Sequence, residues 1–204
     1  MTKRLLFGTT NPTRLHQMRL LLEPLPLHLV SLADLGLQLR VVEDGATAAE
    51  NALIKAKAYF AAAGLPTLAV DTGLTIAALP ADQQPGVFVR RIHTPTQEAT
   101  DEEMLAHYQR VLVVAGGQSS GQWQVAVALA LTPQRVIQET FTIATWFTAV
   151  ASPRRLPGEP LSSLQLDHNT GKYYAELSPA ERFATGALQT QKIFNFVQEH
   201  CNEL

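Results

Sequence analysis

The residues most suited to chemistry lie in the stretch 68–74, where an apolar run ends in a carboxylate, a hydroxyl and a glycine. This pattern predicts a strand that lifts Asp71 to the edge of a sheet, with Gly73 permitting a tight turn beside it. In α/β proteins, ligands bind in the crevice outside such strand ends. We therefore predict that Asp71 holds a divalent metal ion and helps to activate a water molecule. The alternative is an Asx-type turn, in which the carboxylate bonds its own backbone.

A second candidate site lies where the first predicted strand, residues 5–8, meets the first predicted helix. Asn11 is a favourable N-cap residue and Pro12 a favourable first helical residue. A helix that starts after a strand and a polar turn presents backbone N–H groups at the positive end of its dipole, which suits an anion. Arg14, one turn into the helix, adds a charged fork for phosphate. The alternative is a well-capped helix with no ligand.

A third group of candidates surrounds a helix predicted over residues 47–63, which begins with a capping box. Asn51 and Lys55 lie four residues apart on this helix and therefore share a face. Glu43 precedes the helix in a loop with a glycine, where a carboxylate can face a cleft. The alternative interpretation assigns Glu50 to the cap alone and Lys55 to the solvated surface.

The elements that must position these residues alternate between short apolar strands and amphipathic helices, which predicts an α/β fold. Two long β-patterned runs, residues 122–131 and 136–149, are joined as a hairpin. Further helices are predicted over residues 101–115 and from a second capping box at residue 178 to about residue 199. We expect a single domain over residues 1–204. It would have a mixed twisted sheet with a long central hairpin, helices packed on the sheet, and two lobes flanking a cleft.

Composition and charge limit the function classes. The chain has 204 residues, of which 46% are apolar and 17% charged, as in folded globular proteins. The net charge of −2 argues against a nucleic-acid partner, but not against a nucleotide bound as a small molecule. Cys201 is the only cysteine, which excludes an internal disulfide and a cysteine cluster for zinc. No apolar stretch approaches membrane-spanning length, so we expect no membrane partner and a cytoplasmic location.

Three motifs, in order along the chain, resemble those of the inosine triphosphate pyrophosphatases. These enzymes hydrolyse non-standard purine nucleoside triphosphates to the monophosphate and pyrophosphate. The first motif comprises residues 9–14 and the third residues 69–74 with 85–91. The second is the most specific, and its residues fall at the family's spacings: Glu43, Gly45, Thr47, Glu50, Asn51, Ala52, Lys55 and Ala56. The resemblance is strongest over roughly residues 1–95 and continues weakly to residues 175–181.

The resemblance implies a role for each matching residue. Asp71 would be the catalytic general base at the metal, and Glu43 would be a ligand of the cofactor Mg²⁺. The hard oxygen ligands and the charge of a triphosphate agree with that metal. The implied contacts to the nucleoside triphosphate come from Thr9, Thr10, Asn11, Arg14, Lys55, Thr72 and Arg182. The resemblance also implies a homodimer.

The chain departs from the family pattern mainly where the base would be recognised. Val70 replaces an acidic residue beside Asp71, and Gln17 stands where a glutamate is usual. The Phe-Gly-Tyr-Asp motif that helps to hold base and sugar is missing near residues 159–162. The Ser-His-Arg motif that reads the purine is missing near residues 185–188. We therefore expect a pyrophosphatase with altered or relaxed base choice.

Two alternatives remain open on the sequence. The first is a relative that binds a nucleotide or another phosphorylated ligand without hydrolysing it, as the missing carboxylates at Val70 and Gln17 suggest. The second is a hydrolase of another phosphoanhydride with a new pocket. Its aromatic wall would come from Tyr173, Tyr174, Phe183 or Trp146.

Overall fold

A computed structural model of the protein describes residues 3–94, 96–178, 180–182 and 187–204. Its strands are β1 (Lys3–Phe7), β2 (Leu27–Val30), β3 (Thr67–Ile76), β4 (Gln118–Ala130), β5 (Val136–Thr148) and β6 (Gln165–Leu166). Its helices are α1 (Pro12–Leu22), α2 (Ala48–Ala63), α3 (Asp101–Val114) and α4 (Ala187–His200). The strands form one six-stranded sheet in the order β2-β1-β3-β4-β5-β6. The predicted α/β fold, with its mixed sheet and central β4–β5 hairpin, is confirmed.

The chain divides into two compact units, and β3, β4 and β5 each pass from one to the other. Unit 1 comprises Met1–Thr72, Val125–Phe141 and Gln189–Leu204. In this unit β1 pairs in parallel with both β2 and β3. Such parallel pairs need crossover helices, and α1 and α2 supply them. An apolar cluster of Leu6, Val30, Leu32 and Tyr59 supports the α2 side of this unit.

Unit 2 comprises Gly73–Gln124 and Thr142–Leu188. Its core gathers side chains from α3, from the second half of β3 and from the end of β5. The fully buried ring of Phe147 lies in this core beside Gly121, where an added Cβ would come within 3.0 Å of the ring. A short 3₁₀ turn, Pro160–Ser163, packs against α3, and all four of its residues are buried.

The structure corrects the predicted end of β3. The strand does not stop before Asp71 but continues to Ile76, so Asp71 lies in mid-strand. Gly73 therefore makes no tight turn. Instead, the backbone of Gly86 approaches it, and Leu74 and Gly86 exchange hydrogen bonds of 2.8 and 3.0 Å. A Cβ on residue 73 would lie 3.3 Å from the Gly86 carbonyl oxygen, so the glycine permits close contact between two chain segments.

The other predicted boundaries differ less from those in the structure. β4 begins at Gln118 rather than at residue 122, because Gly116 and Gly117, with φ of +92° and +89°, complete the turn on their own. The capping box at Ser178 is present, since Ser178 N donates to Glu181 Oε2 at 2.7 Å. Residues 179 and 183–186 of the predicted last helix lie outside the described residues. Within the described part of the chain, no helix is both long and apolar enough to cross a membrane.

Candidate active site

Helix α2 places a buried lysine at the centre of unit 1. The capping box that starts the helix is formed as predicted, with Thr47 Oγ1 accepting from Glu50 N at 3.2 Å. Lys55 lies two turns further on and is only 7% exposed. A buried ammonium needs partners for its three donors. The structure therefore excludes the alternative of a solvated surface lysine.

The Lys55 ammonium meets three acceptors from two segments of the chain. It donates to Asp71 Oδ1 at 2.6 Å and to the Val70 carbonyl oxygen at 3.0 Å. Glu43 Oε2 lies 3.1 Å from the same nitrogen. The carbonyl of Val70 thus contacts the lysine at the position where the family's second acidic side chain is missing. We call Glu43, Lys55 and Asp71 the charged triad.

Asp71 has the most perturbed environment of the triad. Burial raises the pKa of its carboxyl, the Lys55 ammonium lowers it, and the Glu43 carboxylate raises it again, so that the pKa lies above its ordinary value. Its carboxylate bonds Lys55, and this contradicts the Asx-turn alternative. A carboxylate with increased proton affinity is suited to accept a proton from water.

The two carboxylates of the triad fit a divalent cation. They are close enough to share one positive group, because Lys55 contacts both. Mg²⁺ is commonly held through one or two carboxylates, with waters and substrate phosphates completing its six oxygens. No cluster of three His, Cys, Asp or Glu side chains suited to a metal occurs among the described residues. Glu43 and Asp71 are therefore the protein ligands that this site can offer.

The predicted phosphate loop is a capped helix start. Asn11 Oδ1 accepts from Thr13 N at 2.9 Å and from Arg14 N at 3.2 Å, and Thr9 Oγ1 accepts from Asn11 N at 3.2 Å. The N–H groups of Asn11, Thr13 and Arg14, which we expected to face an anion, are thus bonded within the loop. The Arg14 side chain is exposed. Thr9, Thr10 and Asn11 nevertheless line a cavity of about 700 Å³ within unit 1, whose other wall is formed by residues 31–33 and 36–40.

The remaining predicted contacts lie at two separate places in the chain. Thr72 follows Asp71 in β3, and successive side chains of a strand point to opposite faces, so Thr72 does not share the face of Asp71. Arg182 belongs to unit 2. It donates to the carbonyls of Leu177 and Ala175 at 3.1 and 3.3 Å, and its guanidinium lies 5.7 Å from the centre of the Tyr174 ring. The roles assigned to both residues stay predictions.

In the segment that replaces the family's base-binding motif, Glu159 is partly exposed, with its carboxylate 3.9 Å from Arg182, and the residues after it belong to the core. Ser162 is 5% and Ser163 0% exposed. Ser162 Oγ donates to the Glu159 carbonyl at 2.5 Å, and Ser163 Oγ donates to the Arg154 carbonyl at 2.7 Å. These hydroxyls stabilise the turn itself. The other missing motif, near residues 185–188, falls largely outside the described residues.

Known proteins share both the sequence pattern and the fold. A model of the Ham1 family matches residues 5–185. The chain belongs to the Ham1 family. A protein named dITP/XTP pyrophosphatase from Xanthomonas axonopodis pv. citri (strain 306) is 32% identical over 180 residues, which cover 87% of each chain. One of the same name from Xanthomonas oryzae pv. oryzae is 35% identical over 182 residues, again covering 87% of each chain. These matches confirm the family that the motifs predicted.

A solved structure gives the same result for the fold of this Ham1 member. The HAM1 protein from Coxiella burnetii aligns with a TM-score of 0.79 at 25% identity, over 97% of this chain and 99% of that one. The chain therefore shares its fold with that Ham1 protein over the aligned length. Sequence reasoning found all three members of the charged triad. It missed the Val70 carbonyl, because a backbone acceptor leaves no trace in residue type.

Proposed function

We propose that this Ham1-family chain is a metal-dependent nucleoside triphosphate pyrophosphatase, which hydrolyses non-standard nucleoside triphosphates to the monophosphate and pyrophosphate. The observation that carries the proposal is the charged triad, in which two carboxylates from distant segments converge on one buried lysine. The names of the Xanthomonas relatives support the substrate class.

The reaction needs a base for water and a means to offset the charge of the leaving pyrophosphate. Glu43 and Asp71 would hold Mg²⁺, which when bound supplies Lewis-acid stabilisation of the phosphate oxygens. Asp71 accepts a proton from the attacking water as the bond between the first two phosphates breaks. Lys55 keeps the two carboxylates together, since its donors already point to protein acceptors.

The phosphate chain of the substrate would extend towards the cavity beside Thr9, Thr10 and Asn11. A volume of about 700 Å³ lies within the range of small-molecule sites. Arg14, Thr72 and Arg182 remain predicted substrate contacts, and Lys55 would have to release one of its three protein acceptors to make the contact predicted for it. We also propose that base choice is altered or relaxed, because the turn Pro160–Ser163 is occupied with core packing. The cytoplasmic location, the homodimer and the lack of a nucleic-acid or membrane partner stay predictions.

The test is the release of pyrophosphate from a panel of standard and non-standard nucleoside triphosphates, with Mg²⁺ and with EDTA. We expect turnover that requires Mg²⁺ and that falls by roughly 10²–10⁴ in Asp71→Asn, because a general base is lost. Asp82→Asn, which makes the same change at an exposed aspartate, is the matched control and should keep full activity. Turnover unaffected by Asp71→Asn would contradict the mechanism.

A second candidate function is nucleotide binding without hydrolysis. Val70 in place of an acidic side chain favours it, since the site then offers two carboxylates only. In that case nucleotide would bind, as seen by calorimetry, with no pyrophosphate released from any member of the panel.

A further inference from the structure

The loop that carries Glu43 is tied to α2 by side chains rather than by backbone pairing. Glu50 Oε2, the carboxylate of the capping box, accepts from Ala46 N at 2.6 Å and from Thr47 N at 3.1 Å. One further bond is not part of the cap. Gly45 N donates at 2.9 Å to Oδ1 of Asn51, whose side chain is fully buried.

An asparagine at position 51 has an energetic cost. Its Oδ1 is bonded, but its buried Nδ2 has no hydrogen-bond partner among the residues that the structure describes. A buried unpaired donor disfavours folding, so such a group calls for a reason other than stability. An aspartate would accept the same bond without the spare donor. It would, however, place a third carboxylate one turn from Lys55, on the helix face that serves Glu43 and Asp71.

Gly45 is the matching half of this contact. A Cβ at residue 45 would lie 2.7 Å from Asn51 Oδ1 and 2.7 Å from Glu50 Cβ, distances that real Cβ atoms do not reach. The φ of Gly45 is not positive, so the glycine is required for close approach rather than for its backbone conformation. The hydrogen bond between residues 45 and 51 therefore depends on both residue types.

The position of this bond connects it to the site. Gly45 lies two residues after Glu43, and Asn51 lies one helical turn before Lys55. The same loop is thus fixed to the same face of α2 at two successive turns, once through Asn51 and once through Lys55. The Glu43 side chain is 36% exposed, so burial alone does not fix it.

We infer that Gly45 and Asn51 are a positioning pair, which sets the Glu43 carboxylate for a divalent cation. The inference rests on the proposed function, because it gives Glu43 the role of a metal ligand. Partners that orient a ligand without touching the metal commonly change metal affinity by 10–100-fold when they are removed.

The experiment measures binding of Mn²⁺, as a probe for Mg²⁺, by electron paramagnetic resonance without nucleotide. Asn51→Leu, which keeps the shape but removes the acceptor, should weaken Mn²⁺ binding about tenfold. Gly45→Ala should do the same with the asparagine retained, because the added Cβ would displace Asn51 Oδ1. Both changes break the same hydrogen bond, and the Cβ added by Gly45→Ala also meets Glu50 Cβ. The double variant should therefore bind Mn²⁺ no more weakly than Gly45→Ala alone. In turnover assays the Mg²⁺ concentration for half-maximal rate should rise in parallel, while the KM for nucleotide changes less.

The matched control is Thr67→Val, which removes another fully buried hydrogen-bonding side chain from unit 1. It should lower stability and leave Mn²⁺ affinity unchanged. Unchanged Mn²⁺ affinity in folded Asn51→Leu or Gly45→Ala would overturn the inference, as would multiplied effects in the double variant. If Asn51→Leu does not fold, Gly45→Ala carries the prediction alone. Wild-type protein that binds Mn²⁺ without turnover would contradict the proposed hydrolysis but not the positioning pair. Turnover that requires Mg²⁺, with no Mn²⁺ binding in the absence of nucleotide, would overturn the positioning pair but not the hydrolysis.

Discussion

The two units of the molecule each contain a group of charges, and the two groups differ in how deeply they are buried. In unit 1 the charged triad joins side chain to side chain, and both Lys55 and Asp71 are 7% exposed. In unit 2, Arg182 donates to the carbonyls of Leu177 and Ala175, and the Glu159 carboxylate lies 3.9 Å from its guanidinium. The nearby pair Lys172–Glu181 is largely exposed, with side chains 52% and 38% accessible.

This difference indicates that the charges of unit 2 stabilise the fold, whereas those of the triad serve a chemical function. Arg182 and Glu181 bond backbone groups of the nearby residues 175–178, so their presence is explained locally. The stability of the fold does not explain a buried ionic cluster, because apolar residues of similar volume often stabilise a protein as well or better. Retention of the triad therefore favours a functional role for unit 1. Three substitutions test this comparison, in order of expected effect.

Lys55→Met should have the largest effect, because it leaves two carboxylates close together without their cation. We expect a loss of about 3 kcal/mol in the free energy of unfolding, measured by urea titration. This loss is at the lower end of the range for removing one partner of a buried ion pair, since Asp71 can take up a proton and Glu43 is partly exposed. Lys57→Met on the exposed side of α2 is the control and should change stability by less than about 0.5 kcal/mol. Equal stability of the two variants would show that Lys55 does not hold the triad together.

Arg182→Gln should have a smaller effect on stability, about 1 kcal/mol, because it removes hydrogen bonds to backbone carbonyls. If Arg182 also contacts the triphosphate, as predicted, the KM for nucleotide should rise by roughly tenfold. Arg110→Gln, at an exposed position of α3, provides the control. A loss of stability with no change in KM would assign Arg182 to the fold alone and remove it from the substrate site.

Glu181→Gln should have the smallest effect and one confined to acid pH. The hydrogen bond from Lys172, followed by those at Ser178, lowers the pKa of Glu181 to about 2. Because this folded-state pKa lies below the unfolded value of about 4.3, the carboxylate adds stability above that value and loses it as the pH falls towards 2. Urea midpoints of wild type and Glu181→Gln should therefore converge between about pH 4.5 and pH 2. A constant difference across this window would contradict the assignment.

Sequence reasoning succeeded where the physics is local. Helix α2 begins at the predicted capping box and ends before Gly64, because those signals depend only on neighbouring residues. It failed at Gly73, since the same residue type serves a turn or a close approach, and only the position of Gly86 decides between them. Thr13 N and Arg14 N, at the start of α1, donate to Asn11 Oδ1, and the anion site expected there stays a prediction.

By itself, the sequence determined the α/β class, the family and the identity of the three charged residues, because their types and spacings are fixed by the chain. Only the tertiary structure decided how they meet. Residues 43, 55 and 71 come from a loop, a helix and a strand, and no local rule sets the distance between side chains on separate elements. The buried ammonium of Lys55, on α2, contacts two groups of β3, the Val70 carbonyl and the Asp71 carboxylate. Burial of Asp71 itself removes water from its carboxylate, raises the pKa and turns a common acidic residue into a candidate base.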